Sequence, residues 1–212
     1  MKRSILSIET PTYFAIGVPA GITFPNDRKT LPFGSLVYQQ QVKTLDLIHY
    51  AVWGDAVTGE IDRGHMKRDA SYWSPGAEKI LFSAGERIPN MSLRDVIGDL
   101  QHEGVLWSWD EHLNPLTWWT QLVLHPLGQP LGDNGQRGLY HIGRNIDQPA
   151  LGLDEVSYML WLEWYDTPQL DQSVRIIARD IQQPVEDVLG RAVATMANAM
   201  RANLLYVDAV QG

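Results

Sequence analysis

The spacing of apolar residues predicts helices in two parts of the chain. Near 92–103, apolar residues recur at helical spacing after Ser92, and Ser92 with Asp95 approximates a capping box. We also expect helices in the C-terminal 170–203 region, where Pro184 suits the first turn of a helix. A stripe at helical spacing follows that proline and consists of Val185, Val188, Leu189, Ala192, Val193, Met196, Ala197 and Met200.

Shorter apolar runs, rich in β-branched and aromatic residues, predict strands in the first two thirds of the chain. We expect turns at 19–21 and 56–61, and a hairpin that pairs a strand at 105–109 with a strand at 116–125. Further predicted strands lie at 5–8, 13–18, 22–24, 80–82 and 204–207. The whole pattern predicts an α+β fold whose strands are mostly antiparallel.

Three segments leave the secondary structure open. Residues 35–53 lack glycine and proline, as a helix would, but end in β-branched and aromatic residues that favour strand. The apolar segment 153–165 fits either a buried strand or a helix that begins at Asp154. The Gly/Pro-rich stretch 126–150 is a loop, or strands with wide turns, and a weak candidate boundary within an expected single domain of residues 1–212.

Composition excludes several kinds of site. The chain has 212 residues, 44% of them apolar, and no cysteine, so disulfides, thiolate metal sites and cysteine nucleophiles are excluded. The apolar run near the N-terminus is broken by Ser7 and Glu9, which makes it too short for a signal peptide. No apolar stretch reaches the roughly 18 residues that a membrane span needs. We expect a cytoplasmic protein, or a component of an assembly made in the cytoplasm, with no membrane association.

The net charge of −8 is unevenly distributed along the chain. Residues 1–80 carry nine Lys and Arg against eight Asp and Glu, whereas residues 81–212 carry eight Arg, no Lys and seventeen Asp and Glu. An acidic surface repels phosphate backbones, so nucleic acid is an unlikely partner. Arginine without lysine is typical of protein interfaces, although compositional drift produces the same pattern.

Tryptophan is abundant in the acidic part of the chain. Six of the eight tryptophans lie there, and they are candidate binding or interface residues: Trp107, Trp109, Trp118, Trp119, Trp161 and Trp164. Large aromatic side chains anchor protein interfaces and stack on ligands, but they also fill hydrophobic cores. The sequence leaves open whether this set is buried in the protein's own core or exposed to a partner.

A cluster of acidic and histidine residues is the only candidate catalytic group. Glu103, Asp110 and His112, with either His125 or His141, could bind a metal ion or transfer protons. Their spacing matches no metal-binding signature, and a polar hairpin tip explains Asp110 and His112 as well. We therefore expect no metal and no cofactor.

The absence of a catalytic motif, the abundant tryptophan and the lysine-free acidic region favour a non-catalytic subunit of a larger assembly. Such a subunit would bind a protein partner or a second copy of itself, and structural proteins of viruses or mobile elements fit this description. The first alternative is a metal-assisted hydrolase that uses the His, Asp and Glu cluster. The second is a regulator that binds a small ligand or a partner in a Trp-rich pocket.

Overall fold

The computed structural model confirms an α+β fold, with antiparallel sheets in the first two thirds and helices in the C-terminal part. The predicted strands at 5–8 and 80–82 lie outside the residues that the structure describes. The structure describes residues 13–25, 32–58, 61, 92–108, 119–133, 135, 138–145 and 150–209.

The first described strands and helix form one packing unit. Strand β1 covers Tyr13–Ala15, β2 Val18–Thr23, β3 Phe33–Tyr38 and β4 Gln41–Asp46, and helix α1 covers Leu47–Thr58. Strands β2, β3 and β4 form an antiparallel sheet in that order, and α1 packs against β3 and β4. The ambiguous segment before and within α1 therefore contains strand and helix in succession.

The predicted turn at 19–21 is wrong, and the predicted turn at 56–61 is wrong at 56–58, which are helical, whereas residues 59 and 60 lie outside the described part of the chain. Strand β2 continues through 19–21, and a β-bulge between Pro19 and Gly21 shifts its register with β3. The φ of +111° at Gly21 is a conformation that glycine adopts readily because it has no side chain. Pro19 is tolerated because β2 lies at the edge of its sheet. In the predicted turn at 56–61, Ala56 and Val57 are buried in the last turn of α1, so tertiary packing overrides the local turn signal.

The helix near 92–103 is confirmed, and its start follows the predicted capping box. Helix α2 covers Leu93–His102. The Ser92 hydroxyl accepts a hydrogen bond from the backbone N–H of Asp95 at 3.2 Å, and the Asp95 carboxylate accepts one from the backbone N–H of Ser92 at 3.1 Å. These reciprocal bonds satisfy backbone donors that an α-helix leaves free at its N-terminus.

The predicted hairpin between 105–109 and 116–125 is wrong in its pairing. Strand β5, Leu106–Ser108, pairs antiparallel with β1, and strand β6, Leu122–Pro126, pairs antiparallel with the last strand β10, Leu205–Ala209. A short 3₁₀ helix at Trp119–Gln121 occupies part of the predicted second strand. Long-range burial of β5 and β6 against distant strands determines these partners.

The Gly/Pro-rich stretch contributes two strands to the second three-stranded antiparallel sheet, and the third strand follows the stretch directly. Strand β7 covers Gln129–Asp133, β8 Tyr140–Gly143 and β9 Leu151–Leu153, and they pair in that order. Strand β9 leads directly into helix α3, Glu155–Asp166, so this stretch positions the first of the C-terminal helices.

Three helices follow, α3 at Glu155–Asp166, α4 at Leu170–Asp180 and α5 at Val185–Arg201. For the ambiguous segment 153–165, the helical alternative is correct. The Asp154 carboxylate caps α3 by accepting a hydrogen bond from the backbone N–H of Ser157 at 2.8 Å. In the ranges that the structure describes, no helix combines the length and apolarity needed to cross a bilayer.

Buried side chains from both halves of the chain form one hydrophobic cluster. The α5 stripe contributes to it, because all of its predicted members except the partly buried Val185 are buried within the chain itself. The backbone N–H of Gly17 also donates to the carbonyl of Val207 on β10 at 2.6 Å, which links the two ends of the described chain. The single domain stays a prediction that this shared cluster supports.

Candidate functional site

Three of the six candidate tryptophans are fully buried. Trp119, Trp161 and Trp164 have no exposed surface. The Trp161 and Trp164 rings meet edge to face at 5.8 Å, and the Trp164 indole N–H donates to the Ser173 hydroxyl on α4 at 3.1 Å. The guanidinium of Arg175 lies 5.9 Å from the centre of the Trp119 ring. Trp164 therefore joins α3 to α4, Trp119 packs against α4 from the 3₁₀ helix, and all three side chains fit the core interpretation of the tryptophan set.

Of the other three candidate tryptophans, the structure describes only Trp107. Trp107 on β5 is partly buried and donates its indole N–H to the carbonyl of Gly104 at 3.1 Å. Trp109 and Trp118 lie outside the residues that the structure describes. A Trp-rich pocket between the predicted hairpin strands therefore has no counterpart in the pairing of β5 and β6.

The outward side of α3 carries apolar residues as well. Tyr158, Leu162 and Tyr165 follow one another at spacings of four and three residues, which places them along one face of the helix. Leu162 is 41% exposed and Tyr165 is 46% exposed, and Tyr158 is partly buried. We call these three residues the α3 outer strip. A helix that is apolar on two sides is expected where other parts of a protein pack against both sides.

The aromatic rings of the α3 outer strip are held in place by neighbours. The Tyr158 ring stacks on Tyr140 of β8, with centroids 4.7 Å apart and planes 13° from parallel. The Tyr165 ring lies edge-on to the buried Trp161 at 6.4 Å, and its hydroxyl donates to the carbonyl of Gly128. Partial burial raises the pKa of the Tyr165 hydroxyl above its ordinary value, in the direction that favours the protonated donor. Rings fixed in this way lose little conformational entropy when a partner covers them.

The charges of α3 are all negative. Glu155, Glu163 and Asp166 are its ionisable carboxylates, and the helix has no lysine, arginine or histidine. Within the described ranges, none of these three carboxylates forms an ion pair, whereas the capping Asp154 pairs with Arg191 at 3.1 Å. The α3 outer strip is therefore a surface of two tyrosines and a leucine with an acidic border.

The C-terminal end of α3 has an unfavourable charge arrangement. Glu163 and Asp166 lie in the last turn, where the carbonyl end of the helix dipole is negative, and no basic residue lies there. A misplaced charge of this kind costs about 0.3–1 kcal/mol at an exposed helix end. The two carboxylates are also three residues apart, so they repel each other along the helix surface.

The candidate catalytic residue Glu103 has a structural partner. Its carboxylate pairs with the ammonium of Lys43 at 2.7 Å, and the same ammonium donates to the backbone carbonyl of Glu103 at 2.6 Å. The hydrogen bond from Lys43 lowers the pKa of Glu103. In the described part of the chain, no hydrogen bond or ion pair joins Glu103 to His125 or His141.

The remaining members of the catalytic cluster, Asp110 and His112, lie outside the described residues. Among the residues that the structure does describe, no group of three or more His, Asp and Glu side chains could hold a metal ion. The hydrolase hypothesis stays a prediction from the sequence.

A different histidine lies between two carboxylates. His49 on α1 places Nδ1 2.7 Å from Asp46 and Nε2 3.4 Å from Asp99 on α2. The hydrogen bond with Asp46 is the main cause that raises the pKa of His49, and the bond with Asp99 adds to it. The same pairing lowers the pKa of Asp46. The bond to Asp99 joins α1 to α2. In the sequence, the three-residue spacing of Asp46 and His49 indicates the bond to Asp46.

Sequence reasoning singled out tryptophans and missed the α3 outer strip. The signal was present, because the segment 155–166 contains two interleaved sets of apolar residues at helical spacing. One set contains the buried Leu160, Trp161 and Trp164, and the other is the α3 outer strip. Comparisons of the chain with protein-family models, with curated proteins and with solved structures found no match.

Proposed function

We propose that this protein is a non-catalytic subunit of a larger protein assembly and that it binds its partner through the α3 outer strip. The observation that carries the proposal is the apolar character of both sides of α3. Trp161 and Trp164 explain the inner side, because they fill the protein's own core. Core packing explains the outer side only in part, because Leu162 and Tyr165 stay 41% and 46% exposed although the Tyr165 ring contacts Trp161.

The chemistry of the strip supports binding of a protein surface. Tyrosine is enriched at protein interfaces, since it presents a large contact area and a polar tip with only two rotatable bonds. Tyr158 and Tyr165 are already fixed by Tyr140 and by the Gly128 carbonyl. Pre-organised anchors of this kind contribute more to affinity than mobile side chains of equal area.

The size of the particle that contains the protein tests this proposal. The full chain, tagged and expressed in its native host, is expected to sediment in a particle heavier than its own 23.9 kDa. Leu162→Ser should return the protein to the monomer mass, because it removes the exposed apolar centre of the strip. Val42→Ser is the matched control, since Val42 is a 70% exposed apolar residue on β4, and this variant should stay in the particle.

Two results would contradict the proposal. One is a wild-type protein that sediments at the monomer mass under all conditions. The other is a heavy particle whose mass is the same for wild type, Leu162→Ser and Val42→Ser, because the α3 outer strip would then not hold the assembly together.

A further inference from the structure

We infer that the partner at the α3 outer strip is a positively charged protein segment, with an apolar anchor for the strip and Lys or Arg beside the C-terminal end of α3. This inference rests on the proposed function and adds the chemistry of the partner. It follows from the charges around the strip, because an apolar surface alone does not discriminate between partners.

The carboxylates beside the α3 outer strip favour a positively charged partner. Glu155 and Asp166 lie on the same side of α3 as Leu162, and Glu163 lies beside them. Asp133 on β7 pairs in register with Tyr140, the residue that stacks on Tyr158, so it adds a fourth carboxylate near the strip. A partner that covers the apolar residues brings its own rim close to these carboxylates.

The last turn of α3 gives a second reason to expect a cation. Glu163 and Asp166 repel each other and face the negative end of the helix dipole, and the described chain supplies no cation to either carboxylate. A Lys or Arg side chain of the partner would lie against two carboxylates and the free carbonyls of the last turn at once. Such a cation relieves an unfavourable arrangement that already exists in the free protein.

The same charges argue against a second copy as the occupant. A two-fold contact places the same patch of each subunit against its mate. Each copy of α3 carries three carboxylates and no cation, so such a contact would gather six carboxylates around one apolar centre. Like charges that face each other across an interface oppose association.

Two synthetic amphipathic peptides of about 18 residues provide the test. Both have the same leucine face, and their polar face is either lysine or glutamate throughout. Binding of each fluorescent peptide to the full chain is measured by anisotropy at low and at high salt. We expect the lysine peptide to bind, the glutamate peptide not to bind, and the affinity for the lysine peptide to fall as salt rises.

Two charge-neutralising double variants test whether the lysine peptide binds beside the C-terminal end of α3. The double variant Glu163→Gln, Asp166→Asn should weaken binding of the lysine peptide by about threefold for each charge, or roughly tenfold together. The matched control is Glu186→Gln, Asp187→Asn, which removes two exposed carboxylates from the first turn of α5 and changes the net charge equally. This control should leave the affinity unchanged within about twofold.

Several results would overturn the inference. They are equal binding of both peptides, binding of neither peptide, and equal effects of the two double variants. Self-association of the purified chain that is lost in Leu162→Ser would identify a second copy as the occupant, so the inference would fail while the proposed function stood. A native particle that is unaffected by Leu162→Ser would instead remove the proposed function itself.

Discussion

Replacement of Leu160 and Leu162 by alanine, one at a time, separates the two sides of α3. Leu160 has no exposed surface, and loss of a fully buried leucine side chain costs about 3 kcal/mol or more, because the cavity collapses only in part. Leu162 is 41% exposed, so Leu162→Ala loses roughly half of a leucine's burial energy, about 1 kcal/mol. The better helix propensity of alanine offsets a few tenths of that loss.

Urea unfolding followed by tryptophan fluorescence measures both variants against wild type, with Trp161 and Trp164 as buried reporters. We expect the free energy of unfolding of Leu160→Ala to be lower than that of Leu162→Ala by at least about 2 kcal/mol. In a chain of this size, that gap corresponds to a difference in Tm of about 4–8 °C. Equal destabilisation by the two substitutions would refute the assignment of an inner and an outer side to α3.

Two further predictions concern the N-terminal half. A methyl group at Gly34 would lie 2.0 Å from the Tyr50 ring, so Gly34→Ala should destabilise the protein by about 1–3 kcal/mol in thermal unfolding, and wild-type stability of this variant would contradict the packing of β3 against α1. The raised pKa of His49 means that protonated His49 stabilises the folded state below its unfolded pKa of about 6.5, and that this contribution is lost as pH rises through the folded pKa. The stability difference between wild type and His49→Gln should therefore shrink between pH 5 and pH 8.5 in urea titrations, and a difference independent of pH would show that Asp46 and Asp99 do not bind the imidazolium.

Local signals in the sequence were sufficient for helices α2 and α5, although they left the segments of α1 and α3 open between helix and strand. The capping box at Ser92 and Asp95 fixes the start of α2 through backbone groups only a few residues apart. The α5 stripe has a regular period from Val185 to Met200, so its buried side is evident without knowledge of what covers it. Both features depend on contacts within one element.

Strand pairing and the interaction surface could not be predicted in the same way. Strand β5 pairs with β1, and β6 pairs with β10, through contacts between residues far apart in sequence. A hairpin is the simpler choice from the sequence, because its loop is short. The first half of the predicted turn at 56–61 was wrong for a similar reason, since Ala56 and Val57 are helical and buried.

The tryptophans did not identify the interaction surface, because large aromatic side chains suit a core and an interface equally well. Trp161 and Trp164 are buried, whereas the residues beside them, Leu162 and Tyr165, are exposed. The helical period distinguishes these two sets once α3 is known to be a helix. Because the sequence left segment 153–165 open between helix and strand, the α3 outer strip could not be recognised from it.

The absence of cysteine from the chain permits the most direct test of the α3 outer strip. A single thiol introduced by Leu162→Cys is compared with one introduced by Val42→Cys, and the rate of alkylation is measured for the purified protein and for the native particle. We predict that both thiols react in the purified protein and that only the thiol at 162 is protected in the particle, by at least about tenfold. Equal reactivity of the thiol at 162 in both samples would contradict the claim that this surface binds the partner.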